Sequence, residues 1–385
     1  MNGSGIREAL RLVLDFEFDR PDILLVEEPE IHLHPALEVA MMHYLREASR
    51  DAQIFLTTHS TNFLDTGDMQ NVYLVSRPGG STTVELLAVS DLETEIPREL
   101  GIRLSSLFMF DQLVFVEGPS DELIIREFAA TLGINLGQAN VGFVVMGSAR
   151  NFTHFAAAST INFLAKRRVN LLFLIDRDER TEQQISSLRD RLGEKARLHV
   201  LARREIENYL LDSVAISSTI EMRLAAAGRA SIPAPTEAEI RDAIAECADR
   251  LRNFSLMKRI TSAVCGPIFI ERPNLGESFD SAQLGLSLKD EISRTFEEIT
   301  SLRDSLVDRI EEESQKIDAS WATRKFEIVP GADLLDEVFK GYGLRYRKEK
   351  DGAEIATRMT SSQIAPEIRA ILDGIERQAN KSDRV

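Results

Sequence analysis

The clearest pattern in the sequence is a pair of short apolar runs, at residues 113–116 and 171–175. Each run is too short for a helix, has no polar position and is followed by a polar turn. This is typical of a strand that is buried on both faces of a parallel sheet. A similar run at 142–147 and the stretch Arg-Leu-His-Val at 197–200 predict two more strands. The central part of the chain is therefore predicted to be an α/β fold built on a parallel sheet.

The first ninety residues also alternate between helical and extended patterns. A Gly-Ser-Gly turn leads into an apolar-periodic helix, and Pro35 suits the first turn of a second helix that runs to about Arg50. Strands are predicted at 22–30 and 53–60, followed by a hairpin at 71–75 and 83–89 around the Pro-Gly-Gly turn at 78–80.

After residue 212 the apolar spacing of three and four predicts helices near 213–228, 236–255 and 286–318. The last of these is long and rich in charges, as in a helical arm. A strand at 325–329 and an amphipathic helix after Pro330-Gly331 are predicted to return to the core. We therefore expect an N-terminal α/β domain at 1–90, an acidic linker at 91–110, a core at 111–211, a helical insertion at 212–318 and the end of the core at 319–385.

Acidic residues follow two of the predicted strands directly. Glu117 and Asp121 come after the first strand, and Asp176 and Asp178 come after a later one. In open α/β sheets chemistry is placed at the carboxyl ends of the strands, and alternation would put residues 176 and 178 on one side of the chain. Four converging carboxylates would repel one another unless a cation such as Mg²⁺ lay between them. The pattern favours a metal site for phosphate chemistry, although Asp121 alone could be a partner of the helix dipole.

Composition narrows the classes of function. The chain has 385 residues, 43% of them hydrophobic, and a formal net charge of -16, which argues against a protein that simply coats DNA with positive charge. DNA binding would then need local basic patches, for which the candidates are Lys166, Arg167, Arg168, Arg203, Arg204 and the run at 345–350. Solvated helix faces are the alternative for these residues. Two distant cysteines and the lack of a signal-peptide pattern or an eighteen-residue apolar run predict a cytoplasmic protein without a membrane span.

The N-terminal region also carries candidate phosphate chemistry. A glycine-rich turn at a helix N-terminus presents backbone N–H groups to a phosphate, although such a turn can equally be a simple cap. Two adjacent acids, Glu27 and Glu28, end an apolar strand and fit a magnesium-and-base arrangement. His59 ends the next strand, where a hydrogen-bonded surface residue is the other interpretation.

The order of these motifs resembles a known family. Glu-Gly-x-x-Asp at 117–121 and Asp-x-Asp at 176–178 look like the Toprim fold of topoisomerases, primases and certain nucleases. The N-terminal hundred residues and the stretch at 203–209 narrow the resemblance to the OLD (overcoming lysogenization defect) nucleases, which join an ABC-type ATPase to a Toprim nuclease. The implied fold class is α/β, with part of an ABC-type ATPase domain followed by a Toprim domain that carries a helical insertion.

For the ATPase part, the resemblance assigns roles to five residues. Ser4 and Gly5 would contact the γ-phosphate of ATP held by another subunit, which implies a homodimer through this half. Glu27 would be the Walker B acid, Glu28 would orient the attacking water, and His59 would be the switch histidine. No GxxxxGKS/T loop occurs in the sequence. We therefore expect either the C-terminal portion of a longer protein or a half-site completed by another chain, with no ATP hydrolysis by this chain alone.

For the nuclease part, the resemblance implies a DNA endonuclease with two Mg²⁺ or Mn²⁺ ions. Glu117, Asp121, Asp176 and Asp178 would hold them. Glu207 is the first choice to complete the second metal position, with Glu205 close behind, although Glu205 can equally be an acid at a helix start. Two such ions can clamp the attacking and leaving oxygens of a phosphodiester. A role in anti-phage defence, with a helicase partner, is implied by the resemblance alone.

The sequence departs from the family pattern at two turns. Where relatives carry a Gly-Lys pair, this chain has Ser148-Ala149-Arg150, and Arg150 is a candidate phosphate clamp. Where relatives carry a lysine after Pro-Gly, this chain has Ala332, so Lys325 or Lys340 would have to serve instead. The alternative function is a catalytically weakened module that binds nucleic acid or supports assembly; a topoisomerase or primase ranks lower.

Overall fold

The computed structural model describes residues 4–58, 60, 63, 72–76, 82–87, 110–147, 152–156, 169–229, 233–265 and 281–382. Within these residues the protein has the predicted α/β architecture, with one four-stranded sheet and two two-stranded sheets. Residues 91–109, which include nearly all of the predicted linker, lie outside the described part, and the domain boundaries stay predictions.

The strands of the four-stranded sheet are β5 (Gln112–Val116), β6 (Val141–Val145), β7 (Asn170–Ile175) and β8 (Ala196–Val200). The sheet is parallel and has the strand order β6-β5-β7-β8. Helices α3 (Pro119–Leu132), α4 (Phe152–Phe155) and α5 (Glu182–Leu192) follow β5, β6 and β7 in the chain. All four predicted strands are confirmed.

The apolar runs are continuous because both faces of this sheet are covered. Val114 and Val116 of β5 pack into one hydrophobic cluster with α3 and the C-terminal helices. Leu113 and Phe115 pack into another cluster on the opposite face, where Phe115 stacks on Phe173 of β7 with ring centroids 4.3 Å apart. A strand with two buried faces cannot carry the polar alternation of a half-exposed strand.

The strand order creates a switch point beside β5. From β5 the chain goes first to β6 on one side and later to β7 on the other. In open parallel sheets the crevice beyond such a point is the usual place for a ligand. The acidic residues that follow β5 and β7 therefore lie at this crevice.

The N-terminal region contains two small sheets. Its elements are α1 (Ser4–Asp19), β1 (Ile23–Glu27), α2 (Pro35–Ala48), β2 (Gln53–Thr57), β3 (Val72–Ser76) and β4 (Thr83–Leu87). Strands β1 and β2 pair in parallel with Leu25 opposite Phe55, and β3 and β4 form the predicted antiparallel hairpin. One face of β1 and β2 leaves Ile23, Leu25 and Phe55 largely exposed within the described part.

The described residues after Asp212 are mostly helical. Their helices are α6 (Ser213–Ala226), α7 (Glu237–Arg250), α8 (Arg252–Val264), α9 (Ser281–Asp304), α10 (Leu306–Ile328), α11 (Gly331–Gly341), α12 (Lys348–Arg358) and α13 (Pro366–Ser382). The predicted helix at 236–255 is divided between α7 and α8. None of the described helices is long and apolar enough to cross a membrane.

The predicted strand at 325–329 is wrong, because this segment is the last turn of α10. Ile317 and Trp321 are buried at a spacing of four, and Ile328 packs against the same cluster. That spacing continues the apolar face of a helix, and the first residue unable to extend the helix is Pro330. The alternation of Phe326 and Ile328 had indicated a strand.

Candidate active site

The first pair of predicted acids lies at the end of β5 and in the first turn of α3. Asp121 accepts a hydrogen bond from the backbone N–H of Gly118 at 2.8 Å and one from the hydroxyl of Ser120 at 3.2 Å. It is therefore a capping residue of α3, as the dipole interpretation allowed, while its carboxylate also faces the acidic crevice. Glu117 comes just before the helix and points toward β7.

The second strand brings Asp176 to the same place. The backbone N–H of Asp176 donates to Glu117 Oε1 at 3.2 Å, and Asp176 Oδ1 accepts from the N–H of Ile206 at 2.9 Å. Asp176 is buried. The predicted meeting of the acids from β5 and β7 is thus present in the structure.

Glu207 joins the cluster from the 3₁₀ helix Ile206–Leu210. Its side chain is fully buried, and neither carboxylate oxygen accepts a well-formed hydrogen bond from any described residue. Lys348 Nζ lies 3.0 Å from Glu207 Oε1 as an ion pair. Glu207 Oε2 is left without a partner among the described residues, which is costly for a buried carboxylate, so this position calls for a further cation or a proton.

Burial raises the pKa of four of these acids, and repulsion between the carboxylates adds to the increase for Glu117, Asp176 and Glu207. Burial raises the pKa of Glu117 to about 7 and that of Glu207 to about 7. Burial also raises the pKa of Asp121, and it raises the pKa of Asp176 well above its ordinary value, with added repulsion from Asp121, Glu117, Glu207 and Asp178. Perturbed carboxylates that cluster in a crevice are a mark of functional sites.

Two cations of the chain itself lie against these acids. Arg180 contacts Glu117 Oε1 through Nη2 at 3.1 Å and Asp178 Oδ2 through Nη1 at 3.2 Å. Burial lowers the pKa of Lys348, but the charges of Glu207, Asp121 and Asp176 outweigh it and raise that pKa. As the side chains lie, no three acid, histidine or cysteine residues of the described part converge as ligands of one metal ion.

The donor set nevertheless fits a hard divalent cation. Every acidic ligand offers carboxylate oxygen, which Mg²⁺ and Mn²⁺ prefer. The specific observation is Glu207 Oε2, which is buried without a hydrogen-bond partner among the described residues, as is the nearby Tyr346 hydroxyl. A cation at these oxygens would have to displace side chains, because Arg180 and Lys348 contact Glu117 and Glu207.

Asp178 is held differently from the prediction. The chain turns at Asp178, where φ is 45°, so the expected alternation of an extended strand end does not apply. The N–H of Asp178 donates to the carbonyl of Arg204 at 2.9 Å, and its carboxylate reaches Glu117 only through Arg180. Asp178 therefore lies at the outer edge of the cluster.

Glu205 already has structural partners. Its Oε2 accepts from the backbone N–H of Ala332 at 3.0 Å, and its Oε1 accepts from Arg204 Nε at 3.2 Å. Glu205 is the residue before the 3₁₀ helix, and its contact with Ala332 joins that helix to α11. These contacts fit the interpretation of Glu205 as an acid at a helix start, while Glu207 faces Lys348 and the other acids.

The predicted nucleic-acid contacts have mixed outcomes. Arg204 is buried and pairs with Glu179 and Glu205, so its prediction as part of an exposed basic patch is wrong. Arg203 donates to the carbonyl of Asn208 at 2.7 Å and lies over the ring of Tyr209, leaving it half-buried. Arg150 lies outside the described residues.

Neither lysine proposed to replace the missing one lies at the acids. Lys325 pairs with Asp249 at 2.9 Å, and Lys340 pairs with Asp336 and Glu337 on its own helix. The lysine that contacts the cluster is Lys348, at the start of α12. Sequence reasoning missed it as a site residue, and its signal was its place in the basic run at 345–350.

Four of the five candidate nucleotide-binding residues of the N-terminal region lie within the described residues. Ser4 begins α1, and a Cβ on Gly5 would lie 2.1 Å from the carbonyl oxygen of His32, so only glycine fits this contact with the loop after β1. Glu27 ends β1, and Glu28 has a positive φ of 43° and donates its N–H to the carbonyl of Thr57 at 2.9 Å. His59 lies outside the described residues.

The raised pKa of Glu207 gives a testable dependence of stability on pH. A carboxyl whose pKa is about 7 in the folded state and near 4.5 when unfolded stabilises the fold below pH 4.5, and this contribution is lost as the pH rises through 7. In the Glu207→Gln variant this loss is absent. We expect the free energy of unfolding of the variant, relative to the unsubstituted protein, to increase by roughly 2 kcal/mol between pH 5 and pH 8.

The measurement is denaturant unfolding in chelator at both pH values. The control is Glu194→Gln, which changes an exposed acid in the 3₁₀ turn Gly193–Lys195 just after α5. Its difference from the unsubstituted protein should stay constant with pH. A constant difference for Glu207→Gln as well would contradict the assignment of a raised pKa.

Comparisons with known proteins agree with this arrangement. Residues 1–65 match the family model described as AAA domain, putative AbiEii toxin, Type IV TA system. Residues 108–178 match the model described as Overcoming lysogenization defect protein-like, TOPRIM domain. The second match includes both strands that deliver the acids.

Two curated proteins are similar over about half of the chain. Endonuclease GajA of Bacillus cereus (strain VD045) is 25% identical over 197 residues, which is 50% of this chain and 33% of that protein. Uncharacterized protein YbjD of Escherichia coli (strain K12) is 24% identical over 207 residues, which is 51% of this chain and 36% of that protein. The aligned part thus spans about a third of the length of each relative. The chain therefore combines an AAA-type segment at residues 1–65 with an OLD-like TOPRIM domain at residues 108–178.

Proposed function

We propose that this chain carries the nuclease centre of a divalent-metal-dependent DNA endonuclease of the OLD type. The observation that supports it most is the meeting of Glu117 and Asp176 from two parallel strands, with the buried carboxylate of Glu207 beside them. The likeness to an endonuclease over half of the chain supports the same class of reaction. Phosphodiester hydrolysis is the chemistry that such a carboxylate cluster serves best.

In this proposal Glu117, Asp121, Asp176 and Glu207 hold Mg²⁺ or Mn²⁺, with Asp178 at the edge. When bound, the ions supply an activated water and neutralise charge on the cleaved phosphate. The protein contributes the fixed geometry. Asp176 is oriented by the N–H of Ile206, and Asp121 is oriented by the N–H of Gly118.

We assign to Lys348 the role that the family resemblance gives to a lysine after Pro-Gly. Its ammonium lies beside Glu207 and is held there by the charges of Asp121 and Asp176. A lysine at this position places a point charge next to the acids, where it stabilises negative charge on the phosphate. Ala332 contributes only its backbone N–H, which orients Glu205.

The N-terminal segment is proposed to belong to an ABC-type ATPase module that binds ATP together with a second copy. The AAA match at 1–65 and the close contact of Gly5 with His32 support this. The bare apolar face at Ile23, Leu25 and Phe55 fits coverage by a further part of such a module. A cytoplasmic location, a helicase partner and a role in anti-phage defence stay predictions.

The test is incubation of the full chain with supercoiled plasmid in Mg²⁺, in Mn²⁺ and in chelator. Nicked and linear products that form only with a divalent metal are expected. Intact plasmid under every condition would refute the endonuclease. If the chain then still shifted DNA in a gel, the alternative of a nucleic-acid-binding module would replace it.

A further inference from the structure

Arg180 reaches into the acidic cluster from the turn that follows β7. Its guanidinium contacts Glu117 through one nitrogen and Asp178 through the other, at 3.1 Å and 3.2 Å. The second nitrogen also donates to the backbone carbonyl of Asp176. One planar group therefore joins the carboxylate of Glu117, after β5, to the carboxylate of Asp178 and the backbone carbonyl of Asp176.

The backbone of the turn fixes this position. The N–H of Arg180 donates to the carbonyl of Arg177 at 3.0 Å, and the positive φ of Asp178 reverses the chain between these two arginines. Arg177 therefore pairs with Glu182 on α5, away from the cluster, while Arg180 is mostly buried among the acids. Of Arg177 and Arg180, only Arg180 points toward the acidic cluster.

Such a contact has two opposite consequences. A guanidinium bridging two carboxylates neutralises their repulsion and stabilises the fold. The same bridge occupies carboxylate oxygens that a divalent cation would need, because Glu117 is a shared partner. Any ion that binds Glu117 must then compete with an intramolecular cation at very high effective concentration.

We propose that Arg180 is a built-in counter-ion that competes with divalent metal for Glu117 and Asp178, so that metal binding exchanges the guanidinium for the ion. This inference rests on the proposed function, since it concerns the same metal site. It makes Arg180 a residue that sets the metal affinity of the site and that holds the acids together when metal is scarce.

The test is a Mn²⁺ titration of the full chain, followed by the electron paramagnetic resonance signal of free Mn²⁺. Arg180→Gln removes the competing charge, and we expect the variant to bind Mn²⁺ about tenfold more tightly than the unsubstituted protein. A change of about tenfold in affinity corresponds to the free energy of one modest charge-assisted hydrogen bond. Arg177→Gln, three residues earlier and paired outside the cluster, is the matched control and should leave the affinity unchanged.

Thermal unfolding gives an independent readout. Without metal, Arg180→Gln should unfold at a lower temperature than either the unsubstituted protein or Arg177→Gln, because its acids repel one another. Saturating Mn²⁺ should raise its unfolding temperature by more than it raises theirs. If Arg180→Gln does not fold without metal, Arg180→Lys, which keeps the charge but not the two-pronged contact, should show a smaller gain in affinity.

The outcomes separate this inference from the proposed function. If the unsubstituted protein binds no Mn²⁺, the metal site and the competition both fail. If it binds Mn²⁺ and the Arg180 variants bind equally or more weakly, only the competition is overturned, and Arg180 then supports the acids instead of opposing the metal.

Discussion

Asp176→Asn will abolish metal-dependent nicking of supercoiled plasmid, with a loss of about 1,000-fold or more. Asp176 is the acid on which the repulsion of Asp121, Glu117 and Glu207 converges, so it is the centre of the proposed ligand set. Asparagine keeps the oxygen that accepts from the N–H of Ile206 but lacks the charge. The loss of activity therefore reports the loss of a metal ligand and not unfolding. In metal-assisted hydrolysis no other group replaces a carboxylate that binds the metal.

The initial rate of nicking measures this effect. Asp190→Asn, which changes an exposed acid on α5, is the matched control and should keep full activity. Unfolding curves of both variants establish that the fold is retained. Substantial nicking by Asp176→Asn would show that the acids of β7 are not part of the reaction centre.

Lys348→Ala is expected to reduce the rate of cleavage by about 100-fold, the usual cost of losing one charge-stabilising group. Lys348 is the cation at the buried Glu207, and the predicted alternatives are engaged elsewhere, Lys325 with Asp249 and Lys340 with Asp336. Lys348→Arg should recover part of the rate, because it restores the charge but not the compact ammonium.

Measurement of the rate at saturating Mn²⁺ distinguishes a lysine that acts on the phosphate from one that only pairs with Glu207. Mn²⁺ binding by Lys348→Ala should be retained or tightened. Lys350→Ala, on the exposed side of the same helix start, should be unaffected. An equal loss in both variants would point to a general electrostatic effect of the basic run at 345–350.

The centre of the site could be predicted from the sequence because its acids directly follow strands that are recognisable as short apolar runs. Buried parallel strands are continuous apolar runs, and acids directly after two such strands of one sheet must share its carboxyl edge. Glu117 and Asp176 follow that rule. Glu207 was placed by its resemblance to a family stretch, since its approach depends on the 3₁₀ helix Ile206–Leu210 and not on strand alternation.

The cations of the site could not be predicted in the same way. Arg180 points inward because of a tight turn with a positive φ at Asp178, whereas the sequence suggested an extended strand end. Lys348 arrives from α12, far along the chain, and its place depends on helix packing. For Arg204 the prediction failed in the opposite direction. The Arg203-Arg204 dipeptide indicated a basic surface patch, but Arg204 is buried in an ion pair with Glu179.

The most direct test is the anomalous difference map of a crystal of the full chain soaked in Mn²⁺. The proposed site predicts a manganese peak with carboxylate oxygens of both Glu117 and Asp176 at about 2.2 Å, with the guanidinium of Arg180 moved away from Glu117. A well-ordered soaked crystal in which manganese binds elsewhere, or in which these two carboxylates share no ion, would contradict the account.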